Sequence, residues 1–464
     1  MKLLYRLLIT ISSATIVACG SGKSETTNKP SNSSLPPLVS SSSSGIELDL
    51  VEFVYPLFNA NLNGASSTEL IIKVKQSEDI IGIVSSVQVG DILLEYDDGV
   101  WKTEGDLLNL ASTTSNQSFD VFISDESGTL ESKSLILNTV STGTNTPNVS
   151  GLGFDEDTAT LFYTNAQTQT LYKLDKYSYQ SEEVYKTGST QLQGFDDAYW
   201  SLAVDSVNDQ LFIAADYLTS DQADHQVDLL NVAYDGSARS YPSDETLKSA
   251  RSIVLDSEGA LGASLGGQAL YLLDYFATSG LQTWYLEGDF ELLNRPIAGP
   301  TGNTETDFSG VYSPKSSLIY EDSLLVAREF GSENGLALGS ITQVMFESGP
   351  FGLTPKYNKF ADFTALGFQK PMALAFNRDG TAIYIADLGR IWEMDITVDG
   401  VNKPMKLISS STVIPQKIGT GPGLGSAISA MEVHPVYDIL YVAAGRQGLI
   451  AINLETGNRI SVSD

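Results

Sequence analysis

Cysteine is nearly absent from this 464-residue chain: Cys19 stands alone, so neither an internal disulfide nor a cysteine-built zinc cluster can form. Histidine is almost as scarce. With only His225 and His434, the side chain that general-base and triad chemistry recruits most often is hardly available, and no HExxH spacing occurs. Basic residues are also few, 27 Lys and Arg against 57 Asp and Glu, for a formal net charge of −30. Nucleic-acid binding needs a cationic surface that releases counterions, so this balance argues against it. Calcium is the cofactor that so many oxygen ligands would admit.

The longest early apolar run, Leu7 to Val17, is too short to span a bilayer as a permanent helix. It follows Lys2 and Arg6 and precedes Ala18-Cys19, the layout of a secretory signal with a small-residue cleavage site. Residues 1–18 therefore read as a signal peptide. The segment resembles the bacterial lipoprotein signal, which implies cleavage before Cys19, lipidation of that cysteine, and a membrane partner through the lipid anchor. Gly20 rather than Asp at the next position implies, by the same resemblance, an outer-membrane lipoprotein of the cell envelope. Residues 19–44 are dominated by Ser, Thr, Asn and Pro, cannot bury enough surface to order themselves, and read as a flexible tether.

Residues 45–140 carry about seven short runs of alternating apolar and polar residues, such as Leu70 to Val74 and Phe119 to Ile123, with no convincing helix among them. Leu93 to Tyr96, Asp97-Asp98-Gly99 and Val100 to Lys102 form a hairpin signal, because Asp-Gly tolerates the positive φ that tight turns need. The stretch resembles an immunoglobulin-like β-sandwich, without that family's cysteine pair, and such a module is expected to act as a spacer.

Residues 150–464 repeat one pattern: a bulky apolar run, an acidic or Gly-containing turn, a second β-rich run, then a third. Trp200 to Ala215, Pro371 to Asp387 and Ile428 to Ala444 are its clearest copies. A repeat of roughly 50–60 residues holding about four strands marks a β-propeller, one repeat per blade. First strands are expected to begin near Gly151, Trp200, Arg251, Pro314, Pro371 and Ile428, which makes six blades, with a seventh between Glu287 and Tyr312 as the alternative. The final Asn458 to Val462 segment and an early strand are expected to close the ring. The fold class is thus all-β, a sandwich followed by a propeller.

Pro371 to Gly380 followed by Ile383 to Asp387 resembles an NHL repeat, and Leu161 to Asn165 and Leu440 to Ala444 match the NHL and YVTN pattern more loosely. A wider resemblance, to gluconolactonase-like and strictosidine-synthase-like six-bladed proteins, implies either a binder or a metal-dependent hydrolase. The lactonase-like ligand set is not carried over. The corresponding strand starts read Tyr199-Trp200-Ser201, Ala250-Arg251-Ser252 and Pro371-Met372-Ala373, without the expected acid or Asn.

The first hairpins of the repeats are short, whereas Tyr217 to Gln226, Phe330 to Gly339 and the crossings between blades are long and open on the opposite face. Loops on a rigid ring carry binding residues, so that face is expected to be the functional one. Its candidate ligand contacts are Trp200, Tyr217, Arg251, Arg328, Glu329, Asp387 and Arg446. Turn-making is the competing role for Asp155, Glu156, Asp157, Asp205, Asn208 and Asp209, and for His434 before Pro435. Gly421 to Gly425 lacks the following helix and Lys of a phosphate cradle and reads as a flexible blade crossing. The expectation is a lipid-anchored extracytoplasmic binding or scaffold protein for a protein, glycan or small ligand. A metal-dependent lactonase or hydrolase is the alternative.

Overall fold

A computed structural model describes residues 51–462 apart from connecting segments, the longest being 75–83, 138–147, 188–199 and 297–313. The signal and tether expected over residues 1–44 lie outside the described residues. Among the described residues no helix is long and apolar enough to cross a membrane.

From residue 149 onward the described strands form six four-stranded antiparallel sheets, each built from consecutive strands apart from one small inserted ribbon. Their innermost strands are Val149–Asp155, Trp200–Asp205, Ala250–Asp256, Pro314–Tyr320, Pro371–Phe376 and Ala430–Val433. Each packs against the next, and the last packs against the first, so the sheets form a closed six-bladed β-propeller. Within the Glu287 to Tyr312 stretch, where a seventh blade is the alternative, Glu291–Pro296 is the outermost strand of blade 3 and residues 297–312 lie outside the described residues.

Register explains why the repeat is legible. Gly153, Ala203, Val254, Leu318, Ala375 and Glu432 pair with Phe162, Phe212, Tyr271, Leu325, Tyr384 and Tyr441 on the second strands. A bulky residue thus recurs at one position of the second strand in every blade, where it fills the space between neighbouring sheets. The apolar clusters follow this plan, each combining residues of adjacent blades.

Serine hydroxyls stitch the innermost strands together. Ser150 Oγ accepts from Trp200 N at 3.1 Å, Ser252 Oγ accepts from Ser317 N at 3.1 Å, and Ser316 Oγ accepts from Leu374 N at 3.1 Å. Neighbouring blades cannot share a full ladder around a ring, so these hydroxyls satisfy backbone groups that would otherwise be buried unpaired.

Residues 51–137 form two four-stranded antiparallel sheets and a two-stranded ribbon around apolar side chains. The expected role as a mere spacer does not fit their packing. Val51, Phe53, Tyr55 and Leu57 share one cluster with Leu152, Leu161 and Leu174 of blade 1 and with Tyr441, Leu449 and Ile460 of blade 6. Ring closure also differs from the expectation. Arg459–Val462 is the outermost strand of blade 6 and completes a sheet made wholly of that blade's own strands. Among the described residues the early chain contributes to that sheet one antiparallel bridge, Asn61 to Ser461.

The long segments are partly regular. Tyr217 and Leu218 extend a strand that pairs with Gln226 and His225, and Ser332–Glu333 with Leu336–Ala337 makes the ribbon inserted in blade 4.

Candidate functional site: the central cavity

The innermost strands of all six blades line one cavity of about 720 Å³ along the ring axis. Phe154, Val204, Leu255, Phe376 and Val433 occupy equivalent positions one residue before the first hairpin, each half-buried, and make an apolar collar. The hydroxyl-bearing side chains Ser150, Ser201, Ser252, Ser316 and Ser429 line the opposite, crossing end, together with Arg251. Ser201 Oγ is buried there without a hydrogen-bond partner.

Glu432 is the outlier. It lines the cavity at the register position where the other five blades carry Gly153, Ala203, Val254, Leu318 and Ala375. Burial, assisted by the Glu156 carboxylate that also lines the cavity, pushes its carboxyl up to about 8. A carboxyl that keeps its proton near neutral pH can donate a hydrogen bond to a ligand.

The hairpin acids do another job. Asp155 accepts from Asp157 N at 3.1 Å and Thr158 Oγ1 at 2.6 Å; Asp205 accepts from Asn208 N at 3.3 Å and Asn208 Nδ2 at 2.8 Å. Asp256 accepts from Ala260 N and Leu261 N, and Asn377 Oδ1 from Thr381 N and Ala382 N. In blade 6 His434 Nδ1 takes the same place, accepting from Val436 N at 3.1 Å and Tyr437 N at 3.2 Å. These side chains hold turns and are not arranged around an ion. Among the described residues no three His, Cys, Asp or Glu side chains are grouped to hold a metal, and the carboxylates lining the cavity are Glu156 and Glu432. That donor set does not fit the catalytic divalent centre implied by the lactonase resemblance.

Of the seven candidates, the structure brings Arg251 into the cavity wall. Trp200, 1% exposed, fills the core between blades 1 and 2. Arg328 is buried at the end of its strand, with Nη1 donating to Thr342 Oγ1 at 3.3 Å. Asp387 accepts from Lys370 N at 2.7 Å and pairs with Arg390 across a turn in which Leu388 and Gly389 have positive φ. Arg446 is exposed in the Gly445 to Gly448 turn of the crossing face. Glu329 and the Tyr217 side chain lie outside the described residues. Glu432 and the serines escaped the sequence reading. An acid at an otherwise apolar register position would have signalled the first, and serine at the same strand start in successive repeats the second.

No family model matches the chain, and no curated protein matches it. Among solved structures, the chain is similar to an auxiliary nutrient binding protein from Bacteroides thetaiotaomicron, with 10% identity, a TM-score of 0.44, and 87% of this chain and 97% of that one covered. It is similar to a gluconolactonase from Xanthomonas campestris at 14% identity and a TM-score of 0.42, covering 65% and 84%. The third likeness is to the hydrazine synthase of Kuenenia stuttgartiensis, at 11% identity and a TM-score of 0.40, covering 87% and 94%. These likenesses are too distant to carry an argument about activity.

Proposed function

We propose that this chain is a lipid-anchored extracytoplasmic binding protein that holds a small ligand in the central cavity, with the propeller's crossing face open to a protein or glycan partner. In this reading Cys19 carries the anchor and residues 45–140 are an immunoglobulin-like module. The cavity carries the proposal: about 720 Å³ lies within the roughly 300–1,000 Å³ usual for small-molecule sites. Its lining suits an amphipathic ligand, with an apolar body against the collar and polar groups toward Glu432 on one wall and Arg251 at the crossing end. The serines of the crossing end fix strand positions and so preorganise the wall.

The metal-dependent hydrolase reading is disfavoured by the donor set of the cavity. The two readings separate in one thermal-melt series on the chain from Gly45 onward, run with a small-molecule panel, with EDTA, and with calcium, magnesium or zinc. Ligand bound to the native state must raise its stability by mass action. The expected result is a saturable shift with an amphipathic compound, unaffected by EDTA and lost in Glu432→Leu or Arg251→Met. A shift with a divalent cation alone would instead support the hydrolase and reject the binder.

A further inference from the structure

The first and last blades are neighbours in the ring without being consecutive in sequence. Among the described residues no strand is shared between the two sheets, as at the other blade junctions, and here the joining residues are far apart in sequence. The direct connection includes the Val149 to Gly445 bridge, the Ser429 Oγ bond to Val149 O at 3.4 Å, the edge-on packing of Phe154 against Tyr441 at 5.5 Å and against His434 at 5.3 Å, and an apolar cluster to which both blades contribute. Glu432 places a carboxyl at this interface where each other interface has a glycine or an apolar side chain.

The opening strand Val51–Tyr55 and the residues after it lie against both sides of that seam. Glu52, Phe53, Val54 and Leu57 face Phe154, Leu161 and Leu174 of blade 1 together with Tyr437 and Tyr441 of blade 6 across one small cavity. Asn61 exchanges both backbone hydrogen bonds with Ser461, at 3.0 and 2.8 Å. Asn458 Nδ2 donates to Glu69 Oε1 at 2.6 Å, and Lys73 Nζ stands 5.8 Å from the centre of the Tyr437 ring. The contacts run from the first hairpin of blade 6 to its outermost strand.

We propose that the surface formed by the first and last blades on their hairpin side is a docking site whose occupant is this chain's own N-terminal module, and that the module is the clasp that closes the ring. Two sheets that are not consecutive in sequence are held together by a third body that buries apolar side chains against both. The clasp takes the place of a shared strand. Without it, Phe154, Leu161, Tyr437 and Tyr441 would face water, and the ring would open first between blades 6 and 1.

The test uses the full chain with a protease recognition sequence inserted within residues 138–147. After cleavage the two pieces are expected to co-elute in size-exclusion chromatography without denaturant. Separation of the pieces with the propeller's melting temperature unchanged would overturn the proposal. Hydrogen exchange gives an independent reading in the uncleaved chain carrying Phe53→Ala and Asn458→Ala together. Amides of Ala430–Val433 and Val149–Asp155 are expected to exchange at least about tenfold faster, while those of Ala250–Asp256 and Pro314–Tyr320 hold. Equal acceleration in all six blades, or none, would show that the seam does not depend on the module.

Discussion

Replacing Glu432 by Gln should flatten the dependence of stability on pH. The carboxyl moves from an ordinary value near 4.5 to about 8 in the folded chain. Between those values the native state keeps a proton that the unfolded chain releases. Stability therefore falls as pH rises: the contribution is fully present below about pH 4.5 and is lost as pH passes through about 8. The full difference corresponds to a limit of about 5 kcal/mol, at about 1.4 kcal/mol for each tenfold change in proton affinity. Glu432 is half-buried beside a solvent-accessible cavity, so screening reduces the expected loss to about 1–2 kcal/mol. The assay is denaturant unfolding of both proteins at pH 5, 7 and 9. Asp235 and Asp395, held low by Ser237 and Thr397, titrate alike in both, so the difference between the curves isolates Glu432. Gln should leave stability nearly unchanged at pH 5 and raise it relative to the parent at pH 9. Glu156→Gln should displace the transition to lower pH, because it removes the charge that assists the rise. Parallel curves would refute the reasoning and place the Glu432 carboxyl in a water-like setting.

Substitutions at four further positions probe the scaffold by equilibrium unfolding. Gly421→Ala should cost more than about 2 kcal/mol, since Gly421 has a φ of 99° and a Cβ there would collide with the Arg459 carbonyl; Gly400→Ala, at a φ of 92° with open space around it, should cost about 1 kcal/mol. Arg459→Met withdraws donors from Ser409 Oγ at 2.7 Å, Pro422 O at 2.8 Å and Ile418 O at 2.9 Å, and should cost about 3 kcal/mol, with Lys only a partial replacement. His434→Ala leaves two turn amides without an acceptor and should cost about 1–2 kcal/mol, whereas His434→Asn, which copies Asn377, should recover most of it.

The propeller was legible because its signal is local. An aromatic or leucine on the second strand and an acid, Asn or His at the first turn recur in almost every repeat, and the strand starts at Trp200, Pro314 and Pro371 are met exactly where the spacing puts them. The site was less legible, because Trp200 at a strand start and Asp387 at a strand end are aromatic or charged for reasons of packing and turn geometry. Glu432 needs the six registers aligned before it stands out. The docking of residues 51–74 was hidden for a different reason. Phe53 and Leu57 look like the core residues of any strand, and nothing local distinguishes a side chain that fills its own module from one that fills a neighbour. Gly421 to Gly425 is indeed a blade crossing, but its glycines let the backbone lie against the outermost strand of blade 6, where Arg459 Nε donates to Pro422 O.

Closure by the module also orders events in time. Each blade is made of neighbouring strands, so its sheet can form as soon as its own residues are synthesised. The module is made first, yet the partners of Glu69 lie 389 residues later at Asn458. Through that interval the faces of Phe53, Val54 and Leu57 destined for blade 6 have no counterpart. The last contacts to form are then those of greatest sequence separation, which makes assembly slow relative to the folding of single blades and leaves an apolar surface exposed on the nascent chain.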